Sequence, residues 1–303
     1  MDDANKLRVL YRYIKKMRAA AANVIEKSSP LTGKPIEIKS EQGRTVTTRF
    51  HSAGIKNAPL LLDLHGGGFV MGDPRKNDAF CEWIAKVWKV HVVSVGYSLA
   101  PEHPYPAAIE DVCAVLEWYR RHAAALDIDA STAYLQGYSA GADLAFAAQL
   151  RLIKNGNDSV KGIIAHYPCF DAMTNPALKN VRDIDLPIEL MEAFNIWYAG
   201  EISAANPEIS PIFAGNEEYR HFPKTLIYAV VGDCLYDEAM SLAVRMLSLG
   251  VDCKFQSVQG AYHGYIEDAV NPSVYYATSF PETRAARPAG YIVRQRKSPF
   301  AML

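Results

Sequence analysis

Residues 133–150, AYLQGYSAGADLAFAAQL, hold a short apolar run, a five-residue turn of the form G-x-S-x-G and then a run of small residues. Tyr134 and Leu135 read as the end of a strand, and Ala140 onward reads as an alanine-rich helix. A strand that turns at once into a helix forces the serine between them into a tight backbone conformation. Gly137 and Gly141, two residues to either side, keep the strand and the helix from colliding. Ser139 is thereby presented at the carboxyl end of a strand, open to a reacting group.

Working outward, apolar strand candidates recur at Leu60–Leu64, Val90–Val95, Ala133–Leu135, Gly162–Ala165, Leu226–Val231 and Phe255–Val258. Helical periodicity lies between most of them, over Ala79–Val87, Ala107–Ala125, Ala140–Asn155 and Asp237–Leu249. Strand and helix in turn predict an α/β fold, a mostly parallel sheet covered on both faces and joined by right-handed crossovers. A β-rich stretch, Arg44–Phe50, precedes the alternation. The pattern breaks between Phe170 and Phe222, where a long Pro- and Asn-punctuated segment holds one helical piece, Ile188–Tyr198. A structureless loop of that length is unusual in a compact domain, so the segment reads as an inserted cap.

The expected organisation is 1–50 as an N-terminal cap segment, 51–170 and 222–280 as the α/β core, and 171–221 as the inserted cap. Residues 281–303 form a C-terminal tail with five basic residues and fading periodicity. The first segment places Leu7, Leu10, Ile14 and Met17 at helical spacing, with Lys6, Arg8, Arg12, Lys15, Lys16 and Arg18 beside them. That reads as a helix docked on the protein with a solvated basic face, against the rival reading of a membrane-surface helix.

Composition narrows the function. Of 303 residues half are apolar, and 32 basic against 33 acidic side chains leave a net charge of −1. A nucleic-acid binder that relies on a cationic surface is excluded. Five widely spaced cysteines without a CxxC pair argue against a disulfide framework or a cysteine-rich zinc site, and for a reducing, cytoplasmic compartment. No run of 18 apolar residues occurs, so stable membrane insertion is not expected.

Two further motifs carry chemistry. His65-Gly66-Gly67-Gly68-Phe69 follows the strand Leu60–Leu64, and its glycines let backbone N–H groups approach a ligand closely. Acyl transfer needs such donors, because charge builds on the carbonyl oxygen as it becomes tetrahedral. Gly67, Gly68 and Ala140 are the expected oxyanion donors. A phosphate loop is the rival reading, but the P-loop lysine and a GxGxxG run are both missing. A base for Ser139 is expected at His263, in the loop just past the last strand. The acid that orients it is read as Asp233, which projects from the end of Leu226–Val231. Asp237 competes but falls where a helix begins, and Asp171 is third. Phe69, Tyr138, Tyr167, Phe194 and Tyr198 are expected to contribute to an apolar substrate pocket. Neither a metal nor an organic cofactor is called for.

Taken together, HGGGFVMGD, GYSLAPEHPYPAA (residues 96–108), GYSAGADLA and GDCLYDE…HGY resemble the hormone-sensitive-lipase family of α/β-hydrolase esterases. The similarity covers roughly residues 58–270. It implies that Gly67 and Gly68 form the oxyanion hole and that the first acid of D-x-L-x-D-E, Asp233, joins the triad. It also implies a helical cap and a homodimer through the last strand. Tyr138 stands where the two main subgroups carry Asp or Thr. The expected activity is hydrolysis of short- to medium-chain acyl esters, or acetyl esters, by a Ser-His-Asp triad. An amidase or peptidase using the same triad, and a non-catalytic small-molecule receptor on the same fold, are the alternatives.

Overall fold

A computed structural model describes residues 3–27, 31–180, 187–200, 202 and 205–267. The tail 281–303, the end of the expected core segment and residues 181–186 of the expected cap lie outside the described residues.

Eight strands form one sheet: β1 (Lys34–Lys39), β2 (Thr45–His51), β3 (Ala58–Leu64), β4 (His91–Gly96), β5 (Ile128–Tyr138), β6 (Val160–His166), β7 (Lys224–Val230) and β8 (Cys253–Val258). Their order is β1-β2-β4-β3-β5-β6-β7-β8. Pairing is antiparallel from β1 to β4 and parallel from β4 to β8. Every parallel strand therefore delivers its carboxyl end to the same edge of the sheet.

The helices are α1 (Asp3–Lys27), α2 (Asp78–Trp88), α3 (Ala107–Arg121), α4 (Ala140–Lys154), α5 (Ile188–Ala199), α6 (Asn216–Arg220) and α7 (Tyr236–Ser248). Successive side chains of a strand face opposite ways, and the core divides accordingly. Leu60, Leu62 and Leu64 of β3 join a cluster with Val112 and Leu116 of α3 and Leu144 and Ala148 of α4. Leu61 joins the opposite cluster with Phe80, Ile84 and Trp88 of α2. Residues buried from both sides explain why β3 reads as a continuous apolar run rather than an alternating one.

The boundary expected at residue 50 does not match the sheet. β1 and β2 pair with each other and with β4, so residues 34–51 extend the sheet and the boundary cuts β2. β1 escapes the sequence reading because it is an edge strand. Pro35, Glu37 and the flanking lysines are exposed there, and only Ile38 is buried. An outer strand tolerates such residues, but they erase the apolar signal.

α1 docks through Ile14, which is buried, and leaves Arg8, Arg12, Lys15 and Lys16 exposed. Arg18 turns inward and donates to Val70 O at 2.7 Å, Ala100 O at 2.6 Å and Glu102 at 2.8 Å, pinning α1 to the loops beyond β3 and β4. Tyr11 meets Trp197 of α5 edge-on at 5.9 Å, which brings the two cap segments together. Among the described residues, no helix is long and apolar enough to cross a membrane.

Candidate active site

The turn after β5 matches its sequence reading in detail. Ser139 has φ 51° and ψ −117°, a left-handed value that a serine adopts only under constraint from its surroundings. The constraint is visible in the glycines. A Cβ on Gly137 would lie 2.2 Å from Gly141 O, and one on Gly141 would lie 2.1 Å from Leu64 O. Any other residue at either position would push α4 off the sheet. Backbone bonds hold the elbow, with Ser139 N–H donating to His166 O at 2.9 Å.

Three loops that leave the carboxyl edge converge on this serine. Asp233 follows β7 and His263 follows β8. His263 Nδ1 donates to Asp233 Oδ2 at 2.7 Å, and Ser139 Oγ donates to His263 Nε2 at 3.0 Å. The other Asp233 oxygen accepts the Leu235 N–H at 3.0 Å, so the carboxylate is fixed at both ends. Asp237, the rival acid, instead meets Asn180 Nδ2 at 3.0 Å on the surface. Asp171 turns away as well, its Oδ1 accepting the N–H groups of Met173 and Thr174.

The glycine turn after β3 lies beside the elbow, where a Cβ on Gly66 would come 3.2 Å from Tyr138 O. Gly67 and Gly68 have φ of 120° and 61°. Among the described residues, none of the hydrogen bonds uses the N–H of Gly67, Gly68 or Ala140. His65 is structural: its ring stacks on Tyr97 at 4.2 Å and its Nδ1 donates to Gly66 O at 2.8 Å. Burial lowers its pKa to about 4, so it stays neutral at physiological pH.

The expected pocket residues divide. Phe194 of α5 lies against the glycine turn, and a Cβ on Gly68 would fall 2.1 Å from its ring. Phe69 stacks face to face on Tyr198 at 3.8 Å, and with Phe194 these aromatics lie in one buried wall on the same face of the sheet. Tyr138 does not belong to that wall. It is fully buried in the cluster on the α2 face of the sheet, where its hydroxyl donates to Asp63 at 3.0 Å and its ring stacks on His166. The strand alternation that points Gln136 and Tyr138 toward Asp63 removes Tyr138 from the substrate side. Tyr167 is equally buried and meets the edge of the His263 ring at 5.0 Å, so it packs against the histidine.

Two features escaped the sequence reading. Lys179, in the cap, donates to Glu238 Oε2 at 2.6 Å and to Asp171 O at 2.7 Å. Glu238 Oε1 in turn accepts the N–H groups of Phe170 and Asp171. Burial alone would lower the Lys179 ammonium, but Glu238 more than offsets it and holds it above its ordinary range. This pair ties the start of the cap to the first turn of α7, the helix that follows Asp233. Glu238 was visible as the last acid of the D-x-L-x-D-E run. The second feature is Glu267, whose Oε1 accepts the Gly66 N–H at 2.9 Å. Its one sequence signal is its place four residues after His263. No group of three or more His, Cys, Asp or Glu among the described residues is arranged to hold a metal ion.

Known proteins resemble this chain in sequence and fold. A family described as having the alpha/beta hydrolase fold matches residues 61–267. Esterase LipI of Mycobacterium tuberculosis is 34% identical over 226 residues, covering 73% of this chain and 70% of that protein. The 3-O-acetylpapaveroxine carboxylesterase CXE2 of Papaver somniferum is 30% identical over 243 residues, covering 73% and 78%. The structure of a hyperthermophilic esterase from the archaeon Pyrobaculum calidifontis superposes with a TM-score of 0.78 at 26% identity, covering 92% of this chain and 89% of that one. The chain belongs to the alpha/beta hydrolase fold family, in its hormone-sensitive-lipase-like branch, and is a carboxylic ester hydrolase.

Proposed function

We propose that the protein hydrolyses short- to medium-chain acyl esters, acetyl esters among them, through an acyl-enzyme on Ser139. The observation that carries this reading is the unbroken relay from Ser139 Oγ through His263 to Asp233, with the N–H groups of Gly67, Gly68 and Ala140 as the expected oxyanion donors. With Nδ1–H committed to Asp233, Nε2 is the free acceptor. It takes the serine proton as Oγ attacks the ester carbonyl, and the three N–H groups hold the developing oxyanion. The tetrahedral centre collapses, the C–O bond to the alcohol breaks, and the imidazolium returns the proton to the departing oxygen. Water then attacks the acyl-enzyme with His263 again as base, releasing the acid and restoring Ser139.

The size limit is drawn from Phe194, whose ring crowds Gly68, one of the expected oxyanion donors. A relative named for an acetyl ester, the Papaver carboxylesterase, supports the same short end of the range. A reducing, cytoplasmic setting is supported by the five cysteines, all free thiols. The test is hydrolysis of p-nitrophenyl esters from acetate to laurate by wild type and Ser139→Ala. A chain-length optimum at the short end, with kcat lost about a million-fold in the variant, is expected. Wild-type turnover in Ser139→Ala, or an optimum at laurate, would overturn the reading.

A further inference from the structure

We propose that Glu267 is a positioning residue that orients the oxyanion-binding turn, and that it couples this turn to the loop bearing His263. The inference rests on the reading of Ser139, Gly67 and Gly68 given above.

The glycine turn poses a physical problem. Three consecutive glycines leave the backbone free to rotate, yet the oxyanion donors must point at one spot. A peptide unit is planar and trans, so an N–H points opposite to the C=O of the same unit. Gly67 N–H shares its peptide with Gly66 O, and Gly66 O accepts from His65 Nδ1 at 2.8 Å. That bond fixes one side of Gly66. The other side is fixed by Glu267, whose Oε1 accepts the Gly66 N–H at 2.9 Å from 201 residues away in sequence. With both its polar groups held, Gly66 is restrained, and the Gly67 N–H is left aimed away from the His65 bond.

The carboxylate lies flush against the backbone: a Cβ on Gly66 would be 2.5 Å from Glu267 Oε2. The first glycine of the motif thus leaves room for the Glu267 carboxylate beside the backbone, whereas Gly67 and Gly68 are required by their positive φ. Glu267 Oε2 also faces the Tyr167 hydroxyl at 3.4 Å, and the Tyr167 ring packs edge-on against His263 at 5.0 Å. Glu267 sits four residues after His263 in the same loop. One side chain therefore registers the base and the oxyanion donors to each other, although they come from opposite ends of the chain.

The test compares Glu267→Ala with Glu267→Gln on p-nitrophenyl acetate and on a trifluoromethyl ketone. The ketone adds to the serine and places its oxyanion where the ester's would lie. Glu267→Ala is expected to lower kcat about ten- to a hundredfold with KM nearly unchanged, the size of effect a small misplacement produces. The ketone should weaken by a similar factor. Glu267→Gln keeps an acceptor for the Gly66 N–H and is expected to recover most of both. Wild-type kcat and ketone affinity in a folded Glu267→Ala would overturn the proposal, as would equal losses in the Ala and Gln variants. Should Glu267→Ala fail to fold, Glu267→Asp withdraws the acceptor by one methylene. It is expected to fall below Glu267→Gln in kcat, and parity between the two would overturn the proposal. Activity in Ser139→Ala would mean that the serine reading has failed. An inactive Ser139→Ala beside an unaffected Glu267→Ala would mean that only the Glu267 assignment has.

Discussion

Replacing Asp233 by Asn removes a charge and almost no volume, and the neighbouring backbone decides which way the new amide faces. Asp233 Oδ1 accepts the Leu235 N–H at 3.0 Å, and Oδ2 accepts His263 Nδ1–H at 2.7 Å. An asparagine has one acceptor and one donor end. If its oxygen keeps the Leu235 N–H, its NH2 group faces His263 and demands a bare Nδ1. The imidazole then carries its proton on Nε2, toward Ser139, and can no longer accept one. The flipped amide would set NH2 against the Leu235 N–H, two donors face to face, so the first arrangement prevails. The same substitution in another serine hydrolase lowers kcat about 10⁴-fold with geometry intact. A similar loss here corresponds to about 5 kcal/mol of barrier. Steady-state hydrolysis of p-nitrophenyl acetate reads it directly, with thermal unfolding as the check on folding. Labelling of Ser139 by a fluorophosphonate should slow in parallel, because that reaction needs the same base. Asp237→Asn, which alters a surface contact, should leave kcat within about twofold. An Asp233→Asn variant that keeps more than about a tenth of wild-type kcat would refute the tautomer argument.

Lys179→Met should cost about 3–5 kcal/mol, because it strands the Glu238 carboxylate in a site where both side chains are less than 10% exposed. Urea unfolding measures it, the double variant Lys179→Met/Glu238→Gln should recover part, and a loss below about 1 kcal/mol would remove the pair from the stability account. Asp143 is fully buried, its oxygens meet no hydrogen-bond partner among the described residues, and burial raises its carboxyl well above the ordinary range. The folded state then holds a proton that the unfolded state releases, so stability falls as pH rises from the carboxylate range toward the folded pKa. The Tm advantage of Asp143→Asn over wild type should accordingly grow from pH 5 to pH 8, and a difference constant with pH would contradict the assignment. Tyr138→Phe takes a donor from buried Asp63 and should cost about 1–3 kcal/mol in stability while leaving the ester chain-length profile unchanged. A shifted profile would return Tyr138 to the substrate wall.

Much of this architecture is legible in local sequence, and the reason is steric. The elbow at Ser139 needs glycines at 137 and 141 because two backbones meet there. The turn after β3 needs positive φ at Gly67 and Gly68. Such constraints act within a few residues, and so they survive as motifs. The strand-helix alternation is legible for a similar reason, since β3 buried on both faces must be apolar throughout. Together these imply that Ser139, Asp233 and His263 share one edge of a parallel sheet, before any contact between them is known.

What the sequence left open are matters settled across distance. β1 is an edge strand whose exposed residues carry no apolar pattern, and only its pairing with β2 reveals it. The side on which Tyr138 falls depends on strand register and on the buried acceptor Asp63, contributed by a different strand. The partnership of Lys179 with Glu238 joins residues 59 apart, and that of Gly66 with Glu267 joins residues 201 apart. A hydrogen bond of that kind constrains only one atom at each end, so it leaves no periodicity and no spacing to read. Local sterics wrote the nucleophile, its donors and the sheet into the chain, whereas tertiary packing alone chose which side chains hold them in place.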